Sequence, residues 1–248
     1  MRNSLYAIFA LWLCGCSHLQ GQIPYPTETF TTSAGKEVRI YLITHGSLAV
    51  AYEGKLIQID PVKKNDGKTF NYSLFPKADA VLVSHEHFDH LDAAAISEVS
   101  KADTRVLANA KSASKLPHCT TVANGDKVRL SDNITIAFVP AYNTTPGHLN
   151  FHPKGNGNGF LIRLDDFTLY ISGDTELIDE MQQLKNVDVA FLSTNQPYTM
   201  TPEQCVEAAK IIRPKVLIPY HLGKTQFSAI TEGLKDEAID IRLHEELR

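Results

Sequence analysis

The run Ala80-Val81-Leu82-Val83-Ser84-His85-Glu86-His87-Phe88-Asp89-His90 places three histidines and one aspartate directly after an apolar segment. Imidazole nitrogen and carboxylate oxygen bind zinc and related metals, and a buried strand gives such ligands a rigid support. In an extended segment His85 and His87 project to the same side and can reach one ion. Asp89 and His90 follow a turn, where both can face a second ion. The spacing therefore predicts a site for two metal ions.

The surroundings of this motif favour a built site, although histidine-rich segments also chelate metals by chance. The motif stands at the carboxyl end of an apolar strand and just before a helix-like stretch from Asp92 to Ser100. Candidate ligands in this order between a strand and a helix indicate a functional metal site.

At this point the chain resembles the metallo-β-lactamase-fold hydrolases. The residues that meet their signature, His-x-His-x-Asp-His, are His85, His87, Asp89 and His90. Three further segments match in the family's order: Leu56–Pro61, Tyr170–Thr175 and Val216–His221. The resemblance runs from about Val38 to the C-terminus. It implies an α/β (α+β) fold, a four-layer αββα sandwich, whereas the order of predicted strands and helices alone indicates only a mixed α and β class.

Within that superfamily, four short segments are similar to the ascorbate-6-phosphate-lactonase-like branch. They are Thr44–Ser47, Pro140–Asn143, Phe151–Gly155 and Pro197–Met200. That branch also resembles the phospholipase D that acts on N-acylated phosphatidylethanolamine. The resemblance therefore implies hydrolysis of a lactone or ester bond of a small molecule, with a phosphodiesterase acting on phospholipid as the alternative.

The resemblance also implies a set of metal ligands, divided between two ions. His85, His87 and a third histidine would hold the first ion. The second would be held by Asp89, His90 and His221, and Asp174 would bridge the two. The third histidine is His148 or His152, and His152 is favoured because it directly precedes the run Pro153–Gly159, as in the family.

Other polar residues have predicted places around this site. Asp60 ends a strand and is expected to orient a ligand histidine, as metal sites commonly require. For His45, a place beside the site and a place in the core are both open. Glu86 is predicted to be structural. A glutamate where His87 stands would have indicated a di-iron oxygen-reducing relative, so hydrolysis is favoured over redox chemistry.

The mechanism implied is that of a binuclear metallohydrolase, in which a metal-bound hydroxide attacks the substrate. Zinc is the first candidate for both ions, and manganese or iron is possible because the ligand set contains no cysteine. Asp89 or Asp174 would accept the proton. Tyr198 is a candidate hydrogen-bond donor to the substrate, and a half-buried tyrosine capping the sheet edge is the equal alternative.

Composition limits the remaining possibilities. The chain has 248 residues, 43% apolar content and a net charge of −4, which suits one well-filled domain. It has no basic stripe of the kind that binds nucleic acid, so no nucleic-acid partner is expected. A non-catalytic metal-binding lipoprotein is the competing class, but delivery of a metal needs no two-ion geometry. The substrate and the oligomeric state stay open.

The N-terminus predicts export. Residues 1–16 combine an early arginine, a short apolar stretch and Leu13-Cys14-Gly15-Cys16, which resembles a bacterial lipoprotein processing site. Cys16 would be lipidated and would tether the protein to a membrane through residues 17–36, with the hydrolase domain at 37–248. An ordinary cleaved signal peptide is the alternative. The expected location is the bacterial periplasm, either free or as a membrane-anchored lipoprotein.

Overall fold

The structure is a computed structural model that describes residues 23–248. Within this range the chain forms two seven-stranded sheets, a two-stranded ribbon and a few short helices. The strands are β1 (Thr27–Thr31), β2 (Glu37–Thr44), β3 (Ser47–Tyr52), β4 (Lys55–Ile59), β5 (Lys64–Asn65), β6 (Lys68–Thr69), β7 (Ala80–Val83), β8 (Arg105–Ala108), β9 (Cys119–Thr121), β10 (Lys127–Ser131), β11 (Ile134–Ala141), β12 (Gly157–Leu164), β13 (Phe167–Ile171), β14 (Val189–Ser193), β15 (Val216–Tyr220) and β16 (Asp240–Ile241). The helices are α1 (Ala93–Val99), α2 (Ala110–Ala113), α3 (Pro202–Ile212) and α4 (Phe227–Gly233), with 3-10 segments at Asp179–Gln183 and Glu245–Leu247.

Each large sheet has an antiparallel part and a parallel part. The first has the order β1-β2-β3-β4-β7-β8-β9, and it is parallel from β4 onward. The second runs from β10 to β16 in chain order and is parallel from β13 onward. Parallel strands place their carboxyl ends at the same edge of a sheet, where ligand sites of open α/β sheets are commonly found.

The pattern of apolar residues explains both kinds of strand. All four residues of β7 are buried, as expected for a parallel strand that is covered on both faces. In β11 burial alternates instead, and Ile134, Ile136 and Phe138 point into the core. The continuous apolar run therefore marks β7 as a central strand. The alternating run marks β11 as a strand with one less-covered face.

Three apolar cores separate four layers. The largest lies between the two sheets and contains residues from both, such as Leu82 of β7 and Phe138 of β11. A second lies between the second sheet and α3, and a third lies between the first sheet and α1. Helices therefore cover the outer faces of two packed sheets, which confirms the predicted αββα sandwich.

Helix α3 begins where the sequence predicts. The hydroxyl of Thr201 accepts from the backbone N–H of Gln204, and the Gln204 side chain accepts from the N–H of Thr201, which makes a capping box. Cys205 in this helix is buried and free. Burial raises the pKa of its thiol to about 12, so Cys205 is a packing residue rather than a reactive thiol.

Two predicted boundaries are wrong. The sequence pattern predicts a helix from Thr175 to Leu184, but only Asp179–Gln183 is helical, because the Thr175 and Glu176 side chains bond to another segment. Residues 27–31 fall in the predicted tether, yet they form β1 and pair with β2, so the folded part begins before residue 37. The glycine run at 155–159 enters β12 at Gly157.

Residues 1–22 lie outside the described range, and they include the predicted signal segment and Cys16. Export, lipidation and the membrane tether therefore stay predictions. Among residues 23–248, the helices are all too short or too polar to cross a membrane.

Phe138 tests the importance of the core between the sheets. Its side chain is fully buried and meets Phe160 edge to face, with 5.9 Å between ring centroids. Phe138→Ala should lower the free energy of unfolding by about 3–5 kcal/mol, because it leaves a cavity in a packed layer. Urea denaturation followed by circular dichroism measures this loss.

Phe88→Ala is the matched control, because Phe88 is 84% exposed and loses little burial on truncation. It should change the free energy of unfolding by no more than about 0.5 kcal/mol. Equal losses in the two variants would contradict the assignment of Phe138 to the core.

Candidate metal centre

Strand ends bring the candidate ligands together at one edge of the sandwich. The motif His85–His90 follows β7, Asp174 follows β13 and His221 directly follows β15. Asp60 follows β4, and His45 lies in the tight turn between β2 and β3. Segments that are far apart in the sequence therefore converge because the strands that carry them end at the same place.

Asp174 is the centre of this cluster. Its Oδ2 atom lies 3.2 Å from His221 Nε2, 3.3 Å from His152 Nε2 and 3.7 Å from His85 Nε2. Its Oδ1 atom lies 3.4 Å from His90 Nε2. One buried carboxylate thus contacts histidines that the sequence assigns to two different ions, as a bridging ligand would.

The first ligand set consists of His85, His87 and His152, whose donor atoms lie within 4.8 Å of one another. His85 Nε2 and His87 Nδ1 are 3.0 Å apart, so both face the same point. The Nδ1 atom of His152 is 2.7 Å from Asn143 Oδ1 and 3.1 Å from the carbonyl of Tyr198. A proton on Nδ1 satisfies both acceptors and leaves the Nε2 lone pair facing the cluster.

His148, the alternative third histidine, lies elsewhere. Its Nδ1 atom is 3.2 Å from the carboxylate of Glu176, and its ring packs against Phe151. Among the described residues it belongs to no group with the spacing of metal ligands. The geometry therefore favours His152 as the partner of His85 and His87.

The second ligand set consists of Asp89, His90 and His221, and the structure brings His45 beside it. The donor atoms of these four residues lie within 4.8 Å of one another. His45 Nε2 is 3.4 Å from Asp89 Oδ2. The sequence left His45 undecided between this site and the core. The residues around a histidine in a turn do not indicate whether its side chain faces the site or the core.

Asp60 fixes the ring of His90. The His90 Nδ1 atom is 2.8 Å from Asp60 Oδ2, and the Ser84 hydroxyl and N–H donate to the same carboxylate at 2.6 and 2.7 Å. This is the orienting role that the sequence predicts for Asp60. Gly46 makes room for the ring on its other side, since a Cβ atom there would lie 2.6 Å from His90 Cε1.

The electrostatics are those of an ionised carboxylate among imidazoles. Burial alone would raise the pKa of Asp174, but His221 and His90 hold it well below its ordinary value. Burial and the neighbouring His90 lower the pKa of His85 well below its usual range. His90 behaves oppositely, because Asp174 and Asp60 overcome burial and raise its pKa well above the ordinary value. The centre thus holds an ionised carboxylate at Asp174 and a neutral imidazole at His85, which are the forms that bind metal ions.

Unpaired polar atoms show that a cation fits here. Across the described residues, buried polar groups without a hydrogen-bond partner concentrate at this cluster. They include His90 Nε2, His152 Nε2, Asp174 Oδ1 and both ring nitrogens of His221. Buried polar atoms are normally paired, so this donor set of nitrogen and oxygen is suited to one or more metal ions.

The remaining predicted residues border the cluster. Tyr198 is 45% exposed, and its ring meets that of Phe151 at 5.0 Å while its carbonyl binds His152. Glu86 points away, as predicted, and accepts a hydrogen bond from Asn156. Glu176 was not foreseen from the sequence. Its fully buried carboxylate accepts from the backbone of Thr144 at 2.7 Å and so fixes the loop that leads to His152.

Comparison with known proteins identifies the family. Residues 39–221 match the model of the β-lactamase superfamily domain. A UPF0173 metal-dependent hydrolase of Pelotomaculum thermopropionicum is 32% identical over 196 residues, which cover 74% of this chain and 84% of that protein. A crystal structure from Parabacteroides distasonis, described as that of a metal-dependent hydrolase, has a TM-score of 0.85 at 45% identity and covers 90% of this chain and 100% of its own.

A metallo hydrolase of the archaeon Ignicoccus hospitalis has the same fold, with a TM-score of 0.70 at 24% identity over 85% of this chain and 96% of its own. The family match contains every residue of the two ligand sets and Asp174. The chain belongs to the metallo-β-lactamase superfamily and is a metal-dependent hydrolase.

Proposed function

We propose that the protein hydrolyses a lactone or carboxylic ester of a small molecule at a centre of two divalent ions. The observation that carries the two-ion proposal is the position of Asp174, whose carboxylate contacts histidines of both ligand sets. His85, His87 and His152 would hold one ion, and Asp89, His90 and His221 the other. Zinc is the first candidate and manganese or iron the next, because the donors are imidazoles and carboxylates.

Two ions bound in this way would lower the pKa of a water molecule and polarise the oxygen of the scissile bond. The protein's own acids differ in their access to that water. The side chain of Asp174 is 3% exposed, whereas that of Asp89 is 21% exposed. Asp89 is therefore the acid that can pass a proton to solvent, and Asp174 is a fixed bridging group.

The rim of the centre supports a substrate with an apolar part. Phe88 and Tyr198 are large aromatic side chains with exposures of 84% and 45%. Phe88 stands between two candidate ligands, and Tyr198 packs on Phe151 beside His152. We propose that the Tyr198 phenol donates a hydrogen bond to the substrate while the apolar rings contact its acyl or aryl group.

The same rim favours a second candidate function. A phosphodiesterase acting on phospholipid would need an apolar entrance for the acyl chains, and the predicted lipid tether would keep it at a membrane. The two candidates share the metal centre and differ in the bond that is cleaved. A substrate panel therefore separates them.

Metal content and turnover test the function directly. Purified protein should contain about two divalent ions per chain, as two ligand sets require. It should hydrolyse a lactone or carboxylic ester in a panel that also includes phosphodiester, phospholipid and β-lactam substrates. Chelation should abolish turnover, and added zinc or manganese should restore it. Elemental analysis measures the metal content, and initial rates measure the turnover. Turnover that survives complete removal of metal would contradict the proposal.

His87→Ala and Asp89→Ala test the two ligand sets separately. Each removes one direct donor from a partly exposed position, so the fold should survive while kcat/KM falls by more than about 100-fold. His118→Ala is the control, since His118 is an exposed histidine outside the candidate site. Wild-type rates in both site variants would exclude this centre as the place of reaction.

Asp60→Asn tests the support of His90. Asparagine tolerates the left-handed backbone at this position, where φ is 43°, but it lacks the charge that fixes the imidazole. The affinity for one of the two ions should fall by about 10–100-fold, the usual effect of losing a group that orients a ligand. Competition with a coloured chelator measures it. Unchanged affinity for both ions would show that Asp60 serves stability alone.

A further inference from the structure

His45 reaches the second ligand set although it lies outside the His-x-His-x-Asp-His motif. Its Nε2 atom is 3.4 Å from Asp89 Oδ2, and its ring centroid lies 3.6 Å from that of His221, with 38° between the planes. One donor atom of His45 lies within 4.8 Å of those of Asp89, His90 and His221. This distance is short enough for all four to face one ion.

The surroundings of His45 do not fit a histidine kept for packing. A buried histidine in a core normally satisfies both ring nitrogens with hydrogen bonds. The Nδ1 atom of His45 is buried and has no such partner within residues 23–248. Its backbone is in the left-handed region, with φ at 44°, a conformation that is uncommon for residues other than glycine.

We propose that His45 is a direct ligand of the ion held by Asp89, His90 and His221. This inference rests on the proposed two-ion centre and adds a donor to one half of it. With Asp174 shared, five protein groups would serve this ion. Four groups, namely His85, His87, His152 and Asp174, would serve the other.

The unequal number of donors has a chemical consequence. An ion with more protein ligands has fewer positions left for water or substrate, and catalytic sites keep such a position open. The substrate oxygen would therefore bind at the ion held by His85, His87 and His152. Five nitrogen and oxygen donors also suit manganese or iron, which accept higher coordination numbers than a structural zinc.

Magnetic resonance tests the direct bond. The full chain is labelled with spin-half nitrogen in its histidines and loaded with the spin-half isotope of cadmium, the probe metal. A one-bond coupling between cadmium and a ring nitrogen arises only when the two atoms are bonded. We expect the His45 ring to couple to the same cadmium ion as the rings of His90 and His221.

His45→Asn identifies the His45 signal and measures its effect, because asparagine tolerates the left-handed backbone but is too short to replace the imidazole. The affinity for one cadmium ion should fall by at least about tenfold while that for the other stays unchanged. His118→Asn is the matched control, since His118 also has a positive φ of 56° but is exposed and outside the site.

The outcomes separate this inference from the proposed function. A cadmium ion coupled to His90 and His221 but not to His45 would overturn the inference and leave the two-ion centre in place. Coupling to His45 with a single bound ion would support the inference and contradict the two-ion centre. Protein that binds no cadmium would overturn both.

Discussion

The metal centre depends on one buried carboxylate, that of Asp174. Its side chain is 3% exposed and its oxygens lie within 3.7 Å of four histidine nitrogens. A buried charge costs several kcal/mol unless it is paired. The imidazoles cannot all supply that pairing as cations, because they repel one another at this distance, and the pKa of His85 is indeed lowered. A metal cation would resolve the conflict, since it pairs with the carboxylate and with neutral imidazoles together.

Such a cluster needs a scaffold that does not relax around it. The strands that end at the site are held on both sides by apolar layers, so their ends are fixed before any ion binds. Three residues beside the site, His45, Asp60 and His221, have φ values of 44°, 43° and 52°. Left-handed backbone is uncommon for residues other than glycine. At these three strand ends the left-handed residue turns the chain where its side chain enters the site.

The sequence predicts what depends on neighbours along the chain. The motif after β7 could be read locally, because it follows a buried apolar run. The family resemblance supplied the aspartate after β4 and the histidine after β15. The sequence does not predict what depends on distant partners. Glu176 was placed in a helix by its periodicity, yet it binds the loop at Thr144. Residues 27–31 were assigned to the tether because an edge strand of alternating polarity gives a weak signal until its partner β2 is known.

Exposure is uneven across the centre, and this decides where a substrate can enter. His85, His90, His152 and His221 are buried with Asp174, while His87 and Asp89 are partly exposed. Both of the accessible residues flank Phe88, whose side chain is 84% exposed. One short segment thus contributes ligands to both sets and also presents the most accessible apolar surface beside them. Because an exposed side chain contributes little to the fold, packing places little constraint on position 88.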